Sequence, residues 1–556
     1  MSPRPIIWSI AGLDTAGGAG LSADQRAADA LGVHLCPVAA ALTAQHSQGV
    51  EAVFPVPEAQ LEAQLQALAE DLPPEAIKTG LLGSVAAVQA VARWVDHFRA
   101  RTPAGQDPHR QLALIVDPVL GASAGGSAFA SASVLQACRE WLLPRATVLT
   151  PNRAEAQRLL GLPADGPHPH GKEAVDTDLP ALARRLQALG ARSVVITGGD
   201  APSAPGADGR RPHCLDWLQT PHAQGWLTAP RVDTPHHHGT GCTFATGVAA
   251  AWALGHVEAD AIVLANLLTR HALMQAHGAG RGPGPVKARP GFDAGPQAGG
   301  APMPWLGLGE ALPWALEPRF TAFAPFAPPA DRLYGILPDA PQLRGALGAG
   351  LRCVQLRHKA CEGLMPHLLG SIDAAAQAGA QLFVNDHWRE ALALPPKVDA
   401  APTYRLGLHL GQEDLLALGP ADQALLQAEA GRLILGLSSH SLWELARALG
   451  CGASYVACGP VLATTTKDMP WRPQGERNLR WWVAQSPVPV VAIGGLLTPE
   501  DLARFSACGP AALCVVRGLG SNPADMPERV AAMRAALTPP AERIAIATGP
   551  QPVLPL

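Results

Sequence analysis

Short runs of aliphatic and β-branched residues alternate, through the first half of the chain, with longer stretches in which Ala and Leu recur at helical spacing. The strand-like runs lie at Pro5–Ala11, Ala76–Gly80, Leu112–Val116, Thr147–Thr150 and Ser193–Thr197. Helical patterns between them include Glu58–Leu72 and Leu179–Leu189. This alternation predicts an α/β domain, with a mostly parallel sheet covered by helices.

The alternation becomes regular in the second half. Eight strand-like runs, each followed by helix-length sequence, occupy Leu333–Leu337, Arg352–Leu356, Gln381–Asn385, Leu406–Leu410, Leu433–Leu437, Ser454–Cys458, Pro489–Ile493 and Ala512–Val516. Eight such units predict a (β/α)8 TIM barrel, and an open doubly wound sheet of eight strands stays as the alternative. Polar residues directly after the strands favour the barrel, whose active sites form at the carboxyl ends of the strands.

The stretch between the halves is rich in proline. Residues 281–330 contain eleven prolines without regular spacing, so we expect an extended, irregular segment. Its aromatic residues, which favour docking on a domain surface, are Trp305, Trp314, Phe320, Phe323 and Phe326. The predicted organisation is a first domain at 1–285, a linker at 286–330, a second domain at 331–540 and a tail at 541–556.

Composition narrows the class of protein. Of the 556 residues 48% are hydrophobic and 16% charged, which excludes global disorder. The net charge of −4 argues against a nucleic-acid or anionic-membrane partner, and no apolar run is long enough to span a membrane. The ten cysteines form no C-x-x-C pair, so we expect reduced thiols in a cytoplasmic protein; homo-oligomerisation stays open.

Two glycine-rich turns carry the candidate chemistry of the first domain. Gly12–Gly20 follows the first strand and precedes a helix with Asp24; it could approach a ligand or be only a tight turn. Gly239-Thr240-Gly241-Cys242 precedes a helix, whose free amides would stabilise a phosphoryl group and lower the pKa of the Cys242 thiol. A plain helix cap is the alternative. We expect His236–His238 to be a solvated loop rather than a metal site.

Six ordered motifs make residues 5–290 resemble the hydroxymethylpyrimidine/phosphomethylpyrimidine kinases, which have a ribokinase-like three-layer α/β fold. The motifs are Ala11–Asp24, Leu42–Gly49, Lys78–Ser84, Asp117–Val119, Thr150–Glu155 and Gly239–Cys242. The resemblance implies two successive phosphorylations by ATP with Mg²⁺.

The same resemblance implies roles for individual residues. Gln45 and Asp24 would bind the pyrimidine, and Gly239, Thr240 and Gly241 would form the anion hole. Cys242 would accept the hydroxymethyl proton, while Asn152 and Glu155 would lie on the nucleotide and Mg²⁺ side. Leu81 replaces the usual Met, and Gly121–Gly126 replaces a segment that often carries Lys or Thr, which affects the expected phosphate contacts.

Polar side chains recur at the strand ends of the second domain. Asp386 and Asp414 follow separate strands, and carboxylates so placed suit Mg²⁺ bound together with substrate phosphates. The neighbouring cationic and amide groups, Gln355, Arg357, Lys359, Asn385 and Lys467, would offset the charge of a diphosphate. Unrelated salt bridges at the barrel rim are the alternative.

These residues lie in motifs that resemble thiamine-phosphate synthase over about 331–535. The motifs are Val354–Lys359, Val384–Asp386, His409–Asp414, Gly436–His440, Gly459–Val461, Thr464–Lys467 and Ala492–Gly495. The resemblance implies that Gln355, Arg357, Lys359, Asn385, Ser438 and Lys467 hold a pyrimidine diphosphate, and that Asp386 and Asp414 hold Mg²⁺. It implies that Thr464, Thr466, Gly495 and the backbone near Val516 contact a thiazole phosphate.

The chain therefore reads as a bifunctional enzyme of thiamine biosynthesis, a kinase followed by a coupling synthase. Its partners would be small molecules: hydroxymethylpyrimidine, its phosphates, thiazole phosphate and ATP. A pyridoxal-type vitamin kinase fused to a non-catalytic thiazole-binding regulatory barrel is the alternative. Arg517 stands where a small Ser often helps to bind the thiazole phosphate, and a surface insertion at Pro395–Thr403 lengthens the spacing between Asp386 and Asp414.

Overall fold

The computed structural model describes residues 3–101, 111–121, 131–162, 178–199, 212–317, 320–397, 399–464, 470–537 and 549–554. The chain forms two compact units that meet in sequence at Leu312 and Pro313. Each unit has its own sheet.

The first unit alternates strands and helices. Its strands are β1 (Ile6–Leu13), β2 (His34–His46), β3 (Gly49–Pro55), β4 (Ala76–Thr79), β5 (Ala113–Val116), β6 (Val148–Leu149), β7 (Ser193–Ile196), β8 (His213–Gln219), β9 (Gln224–Pro230) and β10 (Trp305–Leu306). Its α-helices are α1 (Gly20–Leu31), α2 (Glu58–Asp71), α3 (Val85–Ala100), α4 (Ala132–Ala137), α5 (Arg153–Leu159), α6 (Asp178–Ala188), α7 (Thr240–Ala253) and α8 (Glu258–Met274).

These strands form one sheet in the order β10-β9-β8-β7-β6-β5-β4-β1-β2-β3. The strands from β7 to β2 are parallel, and antiparallel strands extend both edges. The strand order reverses between β1 and β4, because β2 lies on one side of β1 and β4 on the other. Ligands of open α/β sheets bind at such a switch point, beyond the carboxyl ends of the strands.

Helices cover both faces of this sheet. On one face, apolar residues of the strands, such as Trp8, Ile77 and Val194, form a buried cluster with residues of α2, α3, α4 and α6. On the other face α1, α7 and α8 pack together against the central strands. The α/β class and the three-layer arrangement predicted from the sequence are confirmed.

The proline-rich segment after α8 is built into the first unit as far as Leu312. Trp305 and Leu306 pair antiparallel with Thr228 and Leu227 of β9, and the Trp226 indole donates to the backbone oxygen of Glu310 at 3.0 Å. This part of the proline-rich segment is therefore irregular over most of its length but packs against the edge of the sheet at β9.

The second unit repeats a strand and one or two helices. Its strands are β11 (Leu333–Leu337), β12 (Cys353–Leu356), β13 (Gln381–Asn385), β14 (Arg405–Leu410), β15 (Ile434–Ser439), β16 (Tyr455–Cys458), β17 (Val490–Ala492) and β18 (Ala512–Val515). Its α-helices are α9 (Ala340–Gly348), α10 (Leu364–Ala378), α11 (Trp388–Ala393), α12 (Gln412–Leu416), α13 (Pro420–Ala428), α14 (Leu442–Gly450), α15 (Gly475–Gln485), α16 (Pro499–Ser506) and α17 (Met526–Ala536).

The eight strands are all parallel and close into a barrel, since β11 pairs with both β12 and β18. The barrel prediction is confirmed and the open-sheet alternative is wrong. Aromatic side chains fill the interior: Phe326, Tyr334, Phe383 and Tyr455 belong to one buried cluster with Ile336, Ile434 and Val491.

Residues that precede β11 close the amino end of the barrel. The Phe326 ring lies 4.7 Å from the Tyr455 ring and 6.0 Å from the Phe383 ring. The amide of Ala324 donates to the backbone oxygens of Ala430 and Leu433, and its own oxygen accepts from the Ser454 hydroxyl. Within the described ranges, no helix is long and apolar enough to cross a membrane.

Candidate active sites at the carboxyl ends of the two sheets

The loop after β1 is organised by the Asp14 carboxylate. It accepts hydrogen bonds from the amides of Ala16, Gly18 and Ala19 at 2.8, 3.0 and 2.8 Å. The His238 Nε2 atom lies 3.0 Å from the same carboxylate. Burial alone would raise the pKa of Asp14, but the bonds from His238, Ala19 and Ala16 hold it below its usual value. The loop is therefore a fixed structure around an ionised carboxylate.

This loop packs directly on the turn that begins α7. Gly239 has φ of 89°, and a Cβ built there would lie 2.3 Å from the backbone oxygen of Gly18, so only glycine fits. His238 in the same turn lies 3.3 Å from the side-chain nitrogen of Gln45, at the end of β2. The structure thus brings Gln45 and the Gly239 turn together, although they are 194 residues apart in sequence.

The first turn of α7 presents free donors. The Thr240 amide bonds to His237 and the Thr243 amide to Gly239, whereas within the described residues the amides of Gly241 and Cys242 have no backbone acceptor. Free amides at a helix start attract anions. The geometry fits the predicted anion hole.

A buried charge cluster lies beneath this turn. The Lys78 ammonium donates to both Asp24 oxygens at 3.0 and 3.1 Å and lies 3.5 Å from Asp117. Ser9 and Thr246 also donate to Asp24, at 2.6 and 2.7 Å. Asp24 is completely buried and surrounded by these protein donors. The expectation that Asp24 contacts the pyrimidine is therefore not supported, because its carboxylate is engaged inside the protein.

The charge on Lys78 is retained in this setting. Burial disfavours the ammonium, but Asp24, Cys242 and Asp117 more than offset that cost and raise the pKa of Lys78 well above its usual value. The sequence reasoning missed Lys78 and Asp117 as functional candidates. The available signal was a Lys within the predicted strand Ala76–Gly80, and both residues also begin motifs named above, Lys78–Ser84 and Asp117–Val119.

Cys242 behaves differently from the sequence expectation. Burial raises the pKa of its thiol to about 12, the charges of Asp117 and Asp24 act in the same direction, and Lys78 and the Gly20 amide only partly oppose them. The predicted lowering of this pKa by the helix start is therefore wrong. Desolvation is the largest cause, and the thiol also lies close to the buried carboxylates of the charge cluster.

Asn152 and Glu155 cap a helix. The Asn152 side chain accepts from the Glu155 amide at 2.9 Å, and the Glu155 carboxylate accepts from the Asn152 amide at 3.0 Å, which makes a capping box at the start of α5. Glu155 also accepts from the Leu120 amide at 3.2 Å. Both residues lie beyond the carboxyl end of β6, and their predicted nucleotide-side role stays a prediction.

A cleft separates the turns after β4 and β5. It is lined by Gly80–Gly83 on one side and by Asp117–Val119 on the other. Val119 has φ of 37°, which is unusual for a β-branched residue. Asp117 connects this cleft to the buried charge cluster.

In the second unit, the predicted residues that the structure describes lie around one end of the barrel. Gln355 and Asn385 are buried at the ends of β12 and β13, and Ser438 is half-buried near the end of β15. Arg357 is half-buried and Lys359 exposed in the loop after β12. Lys467 and Thr466 lie outside the described residues.

Two carboxylates face this end of the barrel. Asp386 has φ of 65°, accepts from the Asn385 side chain at 2.6 Å and lies 3.2 Å from the Lys359 ammonium. Burial raises the pKa of Asp414, and the nearby negative charge of Asp386 raises it further. A divalent cation would relieve the repulsion between the two carboxylates. Within the described residues no three His, Cys, Asp or Glu side chains form a cluster that could hold a metal.

Tight turns follow strands β17 and β18. Gly495 has φ of 77°, and a Cβ built there would lie 2.4 Å from the Leu462 Cβ, so the turn packs closely on the loop that leads to Thr464. Val516 begins the turn Arg517–Leu519, and a Cβ at Gly518 would lie 2.8 Å from the Leu497 backbone oxygen. Loops after the seventh and eighth strands often bind phosphate in TIM barrels.

Comparison with known proteins follows the same division of the chain. The family model described as phosphomethylpyrimidine kinase matches residues 14–287, and the model described as thiamine monophosphate synthase matches residues 337–519. The thiamine biosynthetic bifunctional enzyme TH1 of Arabidopsis thaliana is 30% identical over 513 residues, covering 88% of this chain and 85% of its own. The chain belongs to the family of bifunctional thiamine biosynthetic enzymes.

Single-domain relatives match the first unit alone. The hydroxymethylpyrimidine/phosphomethylpyrimidine kinase of Streptomyces coelicolor is 36% identical over 282 residues, or 51% of this chain and 93% of its own. The solved structure of a Bacillus subtilis pyridoxal kinase with ADP is 29% identical, with a TM-score of 0.42 over 51% of this chain and 98% of its own. The Arabidopsis relative is named as chloroplastic, and the cytoplasmic location expected here stays a prediction.

Proposed function

We propose that this bifunctional enzyme phosphorylates hydroxymethylpyrimidine twice with ATP and then couples the diphosphate to thiazole phosphate, giving thiamine phosphate and pyrophosphate. One observation carries the proposal: two family models match in order along one chain, each within a separate compact unit. The relative that matches both halves is named a thiamine biosynthetic bifunctional enzyme. The alternative of a pyridoxal-type kinase with a regulatory barrel is not favoured.

In the kinase reaction, the start of α7 would receive the transferred phosphoryl group. Within the described residues the amides of Gly241 and Cys242 have no backbone acceptor, and donors placed in advance stabilise charge that develops during transfer. The Gln45 amide, whose nitrogen lies near His238, would read the pyrimidine edge. Asn152 and Glu155 would lie on the nucleotide side, as the resemblance implies.

Cys242 is the proposed acceptor of the hydroxymethyl proton. At neutral pH its thiol is protonated, because its pKa is about 12. Only the thiolate can accept a proton, and at neutral pH only a small fraction of the molecules carries Cys242 as the thiolate. Lys78 would favour that population, since its ammonium interacts with the thiol and lowers its pKa.

In the coupling reaction, the second unit would bind substrates and offset the charge of the departing diphosphate. Lys359 supplies positive charge beside Asp386, and Arg357 lies in the same loop after β12. Gln355, Asn385 and Ser438 would supply polar groups for the pyrimidine diphosphate. The turns at Gly495 and Val516, with Thr464, would bind the thiazole phosphate. No nucleophilic side chain is required, because the nitrogen of the thiazole forms the new bond.

The donor set fits Mg²⁺. Asp386 and Asp414 would supply hard oxygen ligands, and one or two carboxylates with substrate phosphates are typical for this ion. Burial is the main cause of the raised pKa of Asp414, and the negative charge of Asp386 adds to it. When bound, Mg²⁺ would neutralise charge on the diphosphate. In the kinase unit, ATP would bring Mg²⁺ with it.

The decisive experiment incubates the full-length protein with hydroxymethylpyrimidine, ATP, Mg²⁺ and thiazole phosphate, and follows products by chromatography. We expect thiamine phosphate, with the pyrimidine diphosphate accumulating when thiazole phosphate is omitted. Pyridoxal replaces hydroxymethylpyrimidine in a parallel reaction. Faster phosphorylation of pyridoxal than of hydroxymethylpyrimidine, or absence of thiamine phosphate from added pyrimidine diphosphate, would overturn the assignment of the corresponding unit.

A further inference from the structure

A continuous line of hydrogen bonds crosses the apolar interior of the barrel. We call it the polar chain, and its members in order are Gln355, Tyr334, Tyr455, His409 and Ser438. The four links measure 2.8, 3.0, 2.9 and 2.9 Å. Its two ends, Gln355 and Ser438, are side chains proposed above to bind the pyrimidine diphosphate, whereas the three middle residues have no role so far.

The barrel makes room for this chain. A Cβ built at Gly436 on β15 would lie 2.4 Å from the Tyr455 hydroxyl oxygen and 2.2 Å from its ring carbon, so the phenol passes where a side chain would otherwise stand. Both tyrosines are almost completely buried, among Phe326, Phe383 and Ile336. Buried polar groups in such surroundings are costly unless every one is hydrogen-bonded.

In each hydrogen bond of the polar chain one group donates and the other accepts, and that choice fixes the donor of the next bond. Burial raises the pKa of Tyr334 and Tyr455 far above the usual range, so each keeps its single hydroxyl proton. Tyr334 gives that proton to the Gln355 side-chain oxygen, which can only accept. Tyr455 must therefore donate to Tyr334 and accept from the Nδ1 atom of His409.

The direction continues to Ser438. Burial lowers the pKa of His409 to about 4, so the imidazole is neutral and carries one proton, which the link to Tyr455 places on Nδ1. Its Nε2 atom then accepts from the Ser438 hydroxyl. At one end Ser438 keeps only lone pairs for a ligand. At the other end, Gln355 has its oxygen engaged and its side-chain nitrogen without a partner within the described residues.

We propose that the polar chain couples its two ends, so that Gln355 presents a donor whenever Ser438 presents an acceptor. Tyr334, Tyr455 and His409 are then positioning residues that act through the two ends. This inference rests on the proposed coupling function, because it assigns the ends to the pyrimidine. An aminopyrimidine fits, since its ring nitrogen accepts a hydrogen bond and its amino group donates one.

Specificity follows from the coupling. An oxo analogue, with a carbonyl in place of the amino group and a proton on the ring nitrogen, requires both ends to reverse. For Ser438 to donate to the ligand, His409 must adopt the other tautomer, with its proton on Nε2. Tyr455 must then donate to His409 and Tyr334 to Tyr455, and the Gln355 amide must turn so that its nitrogen donates to Tyr334. Because all five groups must change together, the polar chain disfavours the oxo compound.

The first test reads the histidine tautomer and does not need turnover. Full-length protein labelled with ¹⁵N-histidine is compared by NMR at pH 7 with a His409→Gln variant, which identifies the His409 signals. We expect a neutral ring protonated on Nδ1, and a mixture of tautomers in Tyr455→Phe. A ring protonated on Nε2 in the wild type, or an unchanged tautomer in Tyr455→Phe, would overturn the proposal even if the coupling assay succeeds.

The second test measures selectivity. The ratio of kcat/KM for the aminopyrimidine diphosphate to that for its oxo analogue is determined for wild type, Tyr334→Phe and Tyr455→Phe. We expect this ratio to fall about tenfold in both variants, because the ends then reverse independently. Tyr404→Phe is the matched control, since Tyr404 is the third tyrosine of the chain and lies outside the polar chain.

Two further readouts separate the possible failures. Kinase activity of the first unit should be the same in all the tyrosine variants, which reports the amount of intact protein. Circular dichroism and thermal unfolding of each variant report that the barrel is folded. A wild type without any coupling activity would refute the proposed function of the barrel, while the tautomer measurement still decides the polar chain. A selectivity ratio unchanged in both variants, in a protein that couples normally, would refute the specificity role.

Discussion

Lys78 lies fully buried between Asp24 and Asp117, and its charge holds two carboxylates in place beneath the kinase site. An ion pair of this kind is expensive to form, and removal of one partner leaves an uncompensated charge inside the protein. The cluster therefore fixes the position of the strand ends around the Gly239 turn. It also sets the electrostatic surroundings of Cys242.

Replacement of this lysine should destabilise the first unit. Lys78→Met keeps a long side chain but leaves Asp24 and Asp117 unpaired, and we expect a loss of about 3–5 kcal/mol in the free energy of unfolding. The free energy of unfolding is measured by urea titration, with kinase activity as the readout of the folded first unit. Since folding raises the pKa of Lys78, the contribution of its ammonium to the free energy of unfolding is fully present below about pH 10.4. The effect of the substitution should therefore be constant from pH 6 to 9.

Arg93→Met provides the control for that substitution. Arg93 forms ion pairs with Glu58 and Glu62 but is half-exposed, so its loss should cost less than about 1 kcal/mol. A Lys78→Met protein as stable as Arg93→Met would show that the buried cluster does not hold the unit together.

The pH dependence of the kinase tests the proposed role of Cys242. Because the thiol has a pKa of about 12, the thiolate fraction rises about tenfold for each pH unit below that value. If the thiolate accepts the proton, kcat/KM should rise with pH between 7 and 9, and Cys242→Ala should lower kcat by about 10²–10⁴. A flat profile with an active Cys242→Ala enzyme would contradict the assignment.

At the scale of elements, the turn at the start of α7 depends on close backbone contact. Gly239→Ala places a methyl group against the Gly18 oxygen and strains a residue in the left-handed region. We expect a large loss of kinase activity with coupling activity retained, measured separately on the same preparation. Gly49→Ala is the control, because a Cβ there meets nothing within 4 Å. Equal kinase activity in the two variants would refute the role of the contact.

The carboxyl ends of β13 and β14 carry the proposed metal ligands. Asp386→Asn and Asp414→Asn should each raise the Mg²⁺ concentration required for half-maximal coupling by at least about tenfold, since one charged oxygen ligand is lost. Asp373→Asn serves as the control, because Asp373 is an exposed residue paired with Lys397. The metal assignment fails if all three variants show the same Mg²⁺ dependence.

The barrel strands and the parallel strands β1, β4, β5, β6 and β7 were predictable because each is a short apolar run bounded by polar or turn residues. Strands β2, β3 and β10 were not predicted. The eight barrel strands begin and end within two residues of their predicted positions. The hairpin of β8 and β9 was not predicted, since its half-buried strands mix His, Asp and Gln with Trp and Leu.

The positions of the candidate site residues at strand ends were likewise accessible, because the motifs that resemble the two families follow predicted strands; their roles stay predictions. The engagement of Asp24 inside the protein and the high pKa of Cys242 were not accessible. Both depend on Lys78, Asp117 and Thr246, which distant elements bring to one buried point. The polar chain was hidden for the same reason, since its five members come from five different strands.

At the scale of the whole molecule, the two units have separate cores and separate sites, so their activities should be separable. Gly239→Ala is expected to lose most of the first reaction, and Asp386→Asn most of the second at a Mg²⁺ concentration too low for its weakened metal site. An equimolar mixture of the two full-length variants should form thiamine phosphate from hydroxymethylpyrimidine after a lag, because the diphosphate released by one protein reaches the other. A mixture that remains inactive, although each variant retains its other activity, would show that the intermediate is transferred only within one chain.

The segment before β11 has a practical consequence for anyone who wishes to excise the barrel. Phe326 covers Phe383 and Tyr455 at the amino end, and Ala324 is bonded to the backbone of Ala430 and Leu433. A fragment that starts at β11 would lack Phe326 and expose the rings of Phe383 and Tyr455 to solvent, and we expect such a fragment to aggregate. Proteolytic or recombinant separation should therefore cut upstream of Pro313, so that the barrel keeps the segment that covers its amino end.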